Sequence, residues 1–124
     1  MFSKALVGVD FSPPSAAILS CLPHLKDHGM REVVLGHVVY VSNTPGLEIM
    51  LEDWAKPLLA AEAAKLEEAG LAVTTDIHMG VPAVSLAEMA EKHDVSGIVV
   101  GAHGRTLLGR VALGSVAAGG RHAA

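Results

Sequence analysis

Apolar and polar positions alternate along the chain in two rhythms, and the change from one to the other divides it into short elements. Ala5-Leu6-Val7-Gly8-Val9 is a continuous apolar run closed by Asp10. Such a run predicts a central strand covered on both faces. Asp10 to Ser15 is a turn, with Pro14 suited to a first helical turn and Ser12 suited to cap it. A helix is predicted from about Pro14 to His28, with Ile18, Leu22 and Leu25 on one stripe. Pro23 conflicts with that helix and should kink or end it. Gly29 is a plausible stop.

Glu32 to Val39 predicts a second buried strand, and Tyr40 to Gly46 a polar loop. Leu47 to Ala69 predicts a long helix with Leu51, Leu58, Leu59 and Leu66 in the core. Pro57 is expected to kink or divide it, and Gly70 to end it. Leu71 to Met79 alternates, with Val73, Thr75 and Ile77 set against Thr74, Asp76 and His78, which suggests an exposed face or an edge. Gly80-Val81-Pro82 turns into a helix from about Ala83 to His93, with Leu86, Met89 and Ala90 facing inward. Gly97 to Val100 predicts a fourth strand. It opens into a glycine-rich stretch, and a weak last helix is expected from about Gly114. The order βαβαβαβα implies an α/β fold with a mostly parallel sheet and helices on both faces.

Composition narrows the function classes. The 124 residues suit one domain, with 51% hydrophobic and 18% charged residues, so disorder is not expected. The net charge of −4 gives no basic surface for general nucleic-acid binding. The single cysteine, Cys21, fits a reducing compartment and reads as a small buried hydrophobe. The N-terminus runs straight into a strand without a signal-peptide core, and no apolar run is long enough to span a membrane. A cytoplasmic location follows as the expectation. The seven histidines are scattered; His24 and His28 share a helical spacing but lack further obvious ligands, so no metal site is expected.

The candidate chemistry lies between Gly97 and Ser115. A strand that opens into glycines and then a helix lets backbone N–H groups approach an anion. Gly101, Gly104 and Gly114 followed by Ser115 form a pattern expected by chance in on the order of one such chain in a hundred. Gly-Lys-Ser/Thr is absent, which disfavours a P-loop NTPase. In open α/β sheets a ligand binds beyond the carboxyl ends of strands where the strand order reverses. If the first and fourth strands flank that point, Asp10 and Gly101 meet there. Asp10 either accepts bonds from a ligand or caps the next helix.

The spacing Gly101-x2-Gly104-x9-Gly114-Ser115 resembles the ATP-binding signature of universal stress proteins. Lys4 to Asp10 with Ser12 resembles that family's first strand and turn, His37-Val38 the end of its second strand, and Gly80-x-Pro82 the entry to its third helix. Val99-Val100-Gly101-x-His103-Gly104-Arg105 resembles its fourth strand and loop. The resemblance covers nearly all of residues 1–124, as a single domain. It implies an open parallel sheet of the Rossmann-like, adenine-nucleotide α-hydrolase-like type, with strand order 3-2-1-4 followed by a fifth strand. That last strand, rich in Val and Pro, often builds the family's dimer interface, and it has no counterpart here. The fourth strand is then expected to be an edge, covered by the C-terminal tail or paired with another chain, and association as a homodimer remains the expectation.

The resemblance also implies a ligand, ATP or its relatives ADP and AMP, with Mg2+ bridging phosphates. Carried over by position, Val9, Asp10 and Ser12 line the adenosine side, and Val38 contacts adenine. Val100, Gly101, His103, Gly104 and Arg105 wrap ribose and phosphates. Gly114, Ser115 and Val116 bind phosphate. With no evident catalytic base beyond Asp10, a nucleotide-binding regulatory or stress-response module is expected rather than an enzyme. A slow ATP hydrolase or phosphotransferase is the first alternative, and a nucleotide-free dimerisation module the second.

Overall fold

A computed structural model describes residues 3–40, 45–102 and 105–106, and for 101–102 and 105–106 the backbone alone. The chain forms β1 (Lys4–Gly8), α1 (Pro13–Leu25), β2 (Glu32–Val39), α2 (Leu47–Glu68), β3 (Ala72–Met79), α3 (Pro82–His93) and β4 (Gly97–Val99). The four strands make one parallel sheet of order β3-β2-β1-β4. Two further two-residue strands, β5 (Gly101–Ala102) and β6 (Arg105–Thr106), pair antiparallel with each other.

The period-2 alternation of strands distributes the apolar runs to two cores. Ala5, Val7, Val9, Val33, Leu35 and Val99 face one side, where Ile18, Leu19 and Leu22 of α1 and Leu59 and Leu66 of α2 cover them. Leu6, Val34 and Ile98 face the other, under Met89 and Ala90 of α3. Two glycines let the second layer approach closely. A Cβ on Gly36 would lie 2.6 Å from Met89 Sδ, and one on Gly8 would lie 2.9 Å from Val100 Cγ1. β3 is an edge, as its alternation predicts. Val73 and Ile77 pack on the first core.

Several expectations need correction. The first helix is shorter than predicted. The α-helix ends at Leu25, two residues after Pro23, and tightens into a 3-10 turn over Lys26–His28. Pro23 donates no hydrogen bond, so the α-helical ladder is already weakened there. Gly29 then stops the segment at φ 104°. Pro57 does not divide α2, which is one helix from Leu47 to Glu68. Pro57 lies on its exposed face, where water can serve the carbonyl left without a donor. Leu58 is exposed and Leu51 only half-buried, whereas Ala55 is buried; the inward stripe of α2 runs Ala55, Leu59, Leu66.

Cys21 is exposed rather than buried. The inward arc of α1 is set by Ser15, Ile18, Leu19 and Leu22. At about 100° per residue Cys21 falls outside it. β4 stops at Val99, one residue short of the prediction. The last helix expected near Gly114 lies outside the described residues.

Candidate functional site at the carboxyl ends of β1, β2 and β4

Strand order reverses beside β1: the chain moves outward through β2 and β3, then returns by α3 to β4 on β1's other side. Beyond the carboxyl ends of β1 and β4 is the place where open α/β sheets form a ligand crevice. The β1–β4 register ends at Val7–Val99. Continued one residue at a time, that register brings Gly8 and Val9 alongside Val100 and Gly101, with Asp10 one residue beyond. The backbone from Gly101 then doubles back, with Gly101 opposite Thr106 and Ala102 opposite Arg105.

Asp10 is exposed, and its carboxylate is held by the turn that follows. Its Oδ1 accepts from the Ser12 amide at 2.9 Å and from the Ser12 hydroxyl. The Ser12 Oγ in turn accepts from the Ser15 amide at 3.4 Å and caps α1. Ser12, not Asp10, is therefore the helix cap. Asp10 serves an Asx turn and keeps Oδ2 clear of any described partner.

Phe11, between the two, has φ 64°. Left-handed backbone at a bulky side chain costs about 1–3 kcal/mol and persists only where surrounding contacts over-determine it. Two ring contacts do so here. Phe11 lies 5.0 Å from the His37 ring at a tilt of 47°, and 5.3 Å from the Trp54 ring at 81°. Such pairs contribute about 0.5–1.5 kcal/mol each beyond area burial, enough to offset the strain. His37 is itself anchored, its Nδ1 lying 2.6 Å from the Val9 carbonyl oxygen.

The residues singled out from sequence divide as follows. Val9 is buried in the core under α1 and α2. Val38 and Val100, like Leu86, pack against the core under α3. Asp10 and Ser12 form the turn just described. Gly101 and Arg105 lie in the two short strands, which run alongside α1. His103, Gly104, Gly114, Ser115 and Val116 lie outside the described residues. Sequence reading did not single out Phe11 or Trp54, and it named His37 only as part of the end of the second strand. The one available signal was His37, a polar ring at an inward position near the end of an otherwise apolar strand.

A second polar cluster lies away from this crevice, between β3 and α3. Asp76 Oδ2 sits 2.8 Å from His93 Nε2, 3.2 Å from Lys92 Nζ and 3.4 Å from His78 Nε2. Burial alone would raise the Asp76 pKa. The hydrogen bonds from His93 and Lys92, with the charges of His78 and Lys92, outweigh burial and hold it below the ordinary carboxylate value. Among the described residues no group of three His, Cys, Asp or Glu side chains is arranged to hold a metal ion. No helix among them is long and apolar enough to cross a membrane.

The model of the universal stress protein family matches residues 1–119. The chain belongs to that family. Among its relatives, universal stress protein MJ0577 of Methanocaldococcus jannaschii is 29% identical over 139 residues, taking in 94% of this chain and 86% of that protein. The solved structure of that protein aligns with a TM-score of 0.72, over 96% of this chain and 88% of the other. Universal stress protein YxiE of Bacillus subtilis is 33% identical over 132 residues, covering 94% of this chain and 89% of that protein. A universal stress family protein of Arabidopsis thaliana, solved with AMP bound, shares the fold with 20% identity and a TM-score of 0.63, over 94% of this chain and 85% of that one. The four-stranded order 3-2-1-4 is thus that of a universal stress domain.

Proposed function

We infer that this universal stress protein binds an adenine nucleotide in the crevice between the Asp10 turn and the strand end at Val100-Gly101. The observation that carries the reading is the placement of these two segments at the reversal of strand order. The Asp10 Oδ2, clear of described partners, is an acceptor suited to ribose hydroxyls. The glycine pattern from Gly101 to Ser115 supplies small residues and a hydroxyl suited to phosphates. AMP in the Arabidopsis relative supports the same class of ligand. With ATP, Mg2+ would bridge phosphate oxygens, and Arg105 would add charge-assisted bonds. The role that fits is regulatory: occupancy of the site changes what a partner meets.

Mass spectrometry of small molecules released from the purified protein tests this, together with calorimetric titration by ATP, ADP and AMP. Binding is expected, with loss in Gly114→Val, which puts a β-branched side chain into the glycine pattern. Absence of both copurified nucleotide and binding at millimolar ATP would sink the reading.

A further inference from the structure

We propose that Trp54 is a positioning residue for nucleotide recognition, acting through the Phe11 ring to fix the turn that presents the Asp10 carboxylate. The proposal rests on the adenine-nucleotide reading above and extends it to a residue of α2. Asp10 and Ser12 flank Phe11, and the bond from the Ser12 amide to Asp10 Oδ1 spans it. The direction of the carboxylate therefore depends on the φ of Phe11. That angle, 64°, is one an L residue leaves unless its side chain is held. The holders are the rings of His37 and Trp54. His37 belongs to the sheet and is tied to Val9. Trp54 comes from a helix, and the residue stays 53% exposed while its ring meets Phe11 edge-on. An exposed tryptophan fixed to a strained turn residue makes the geometry of Asp10 depend on where α2 sits.

A carboxylate that reads a ribose diol discriminates ATP from 2′-deoxy-ATP only while it is held in place. The test compares both nucleotides on the full chain in wild type, Asp10→Ala, Trp54→Ala, Trp54→Phe, Phe11→Gly and Phe11→Tyr, with thermal melts confirming folding. Wild type should prefer the ribonucleotide by about tenfold, the value of one hydrogen bond. Asp10→Ala and Trp54→Ala should both lose that preference, and Trp54→Phe and Phe11→Tyr, which keep a ring, should retain it. Phe11→Gly accepts the backbone angle without strain but lacks the ring, and should behave as Trp54→Ala. A Trp54→Ala variant that binds ATP with wild-type preference overturns the proposal.

Hydrogen exchange at the Ser12 amide, measured without nucleotide, separates the two readings. Exchange should accelerate in Trp54→Ala and stay slow in Trp54→Phe. Unchanged exchange in Trp54→Ala overturns the positioning role whether or not nucleotide binds. Faster exchange in a protein that binds no nucleotide overturns the nucleotide reading instead, and with it the recognition role.

Discussion

His37 Nδ1 lies 2.6 Å from the carbonyl oxygen of Val9, the residue that follows the neighbouring strand β1. A carbonyl oxygen can only accept, so the bond requires the proton on Nδ1. The bond ties the end of β2 to the residue before Asp10. Replacing His37 with Leu leaves that carbonyl without its side-chain donor and removes a ring from Phe11. A loss of about 1–3 kcal/mol is expected in urea unfolding. Nitrogen chemical shifts of His37 should report a protonated Nδ1.

Gly8 provides a second route to the site. A methyl group there would meet Val100 Cγ1 at 2.9 Å and Leu86 Cδ1 at 3.3 Å. Gly8→Ala should cost about 1–3 kcal/mol by overpacking. Val100 immediately precedes Gly101, so the displaced side chain should also weaken ATP binding. Paired unfolding and titration curves check both effects.

Leu58 and Leu59 are adjacent but unequal. Leu59 is 1% exposed and Leu58 36%. Leu59→Ala should destabilise by about 2–5 kcal/mol and Leu58→Ala by less than about 1 kcal/mol. The contrast in denaturation midpoints reads the inward stripe of α2 directly.

Asp76 makes acid stability measurable at one carboxylate. Its folded pKa is depressed, so its contribution is present above the unfolded carboxylate value and is lost as pH falls through the lower folded one. Asp76→Asn should be less stable than wild type at neutral pH, by about 1.5–3 kcal/mol, the range for hydrogen bonds to a charged group. The gap should close in strongly acidic solution. Chemical unfolding of both proteins across the acid range provides the check.

Much of the frame was legible because the apolar runs are short and unambiguous. The runs Ala5 to Val9, Glu32 to Val39 and Gly97 to Val100 read as buried strands, and they are found as β1, β2 and β4 with ends shifted by a residue at β1 and β4. The strand order came from a family resemblance and not from periodicity, which carries no neighbour information. Prolines were over-read: Pro57 sits within a continuous helix, because tertiary packing of Ala55, Leu59 and Leu66 holds both halves to the same core. Cys21 was misplaced by treating a residue type as a position. At the site, Asp10 and Ser12 were visible as turn chemistry. Phe11 and Trp54 were not, since a positive φ at phenylalanine and a ring contact spanning two helical connections are decided only when the chain has closed.

Among the described residues, the two faces of the sheet are unequally covered. Among the described residues, thirteen buried side chains form the core under α1 and α2, and six form the core under α3. Cooperative opening is cheapest where least apolar surface is given up. Among the described helices, α3 is therefore the one expected to loosen at least cost while the core under α1 and α2 keeps its shape. Val38, Leu86 and Val100 lie on that layer's inner side. A nucleotide held as proposed above would then be expected to exchange as α3 loosens, without opening of the core under α1 and α2.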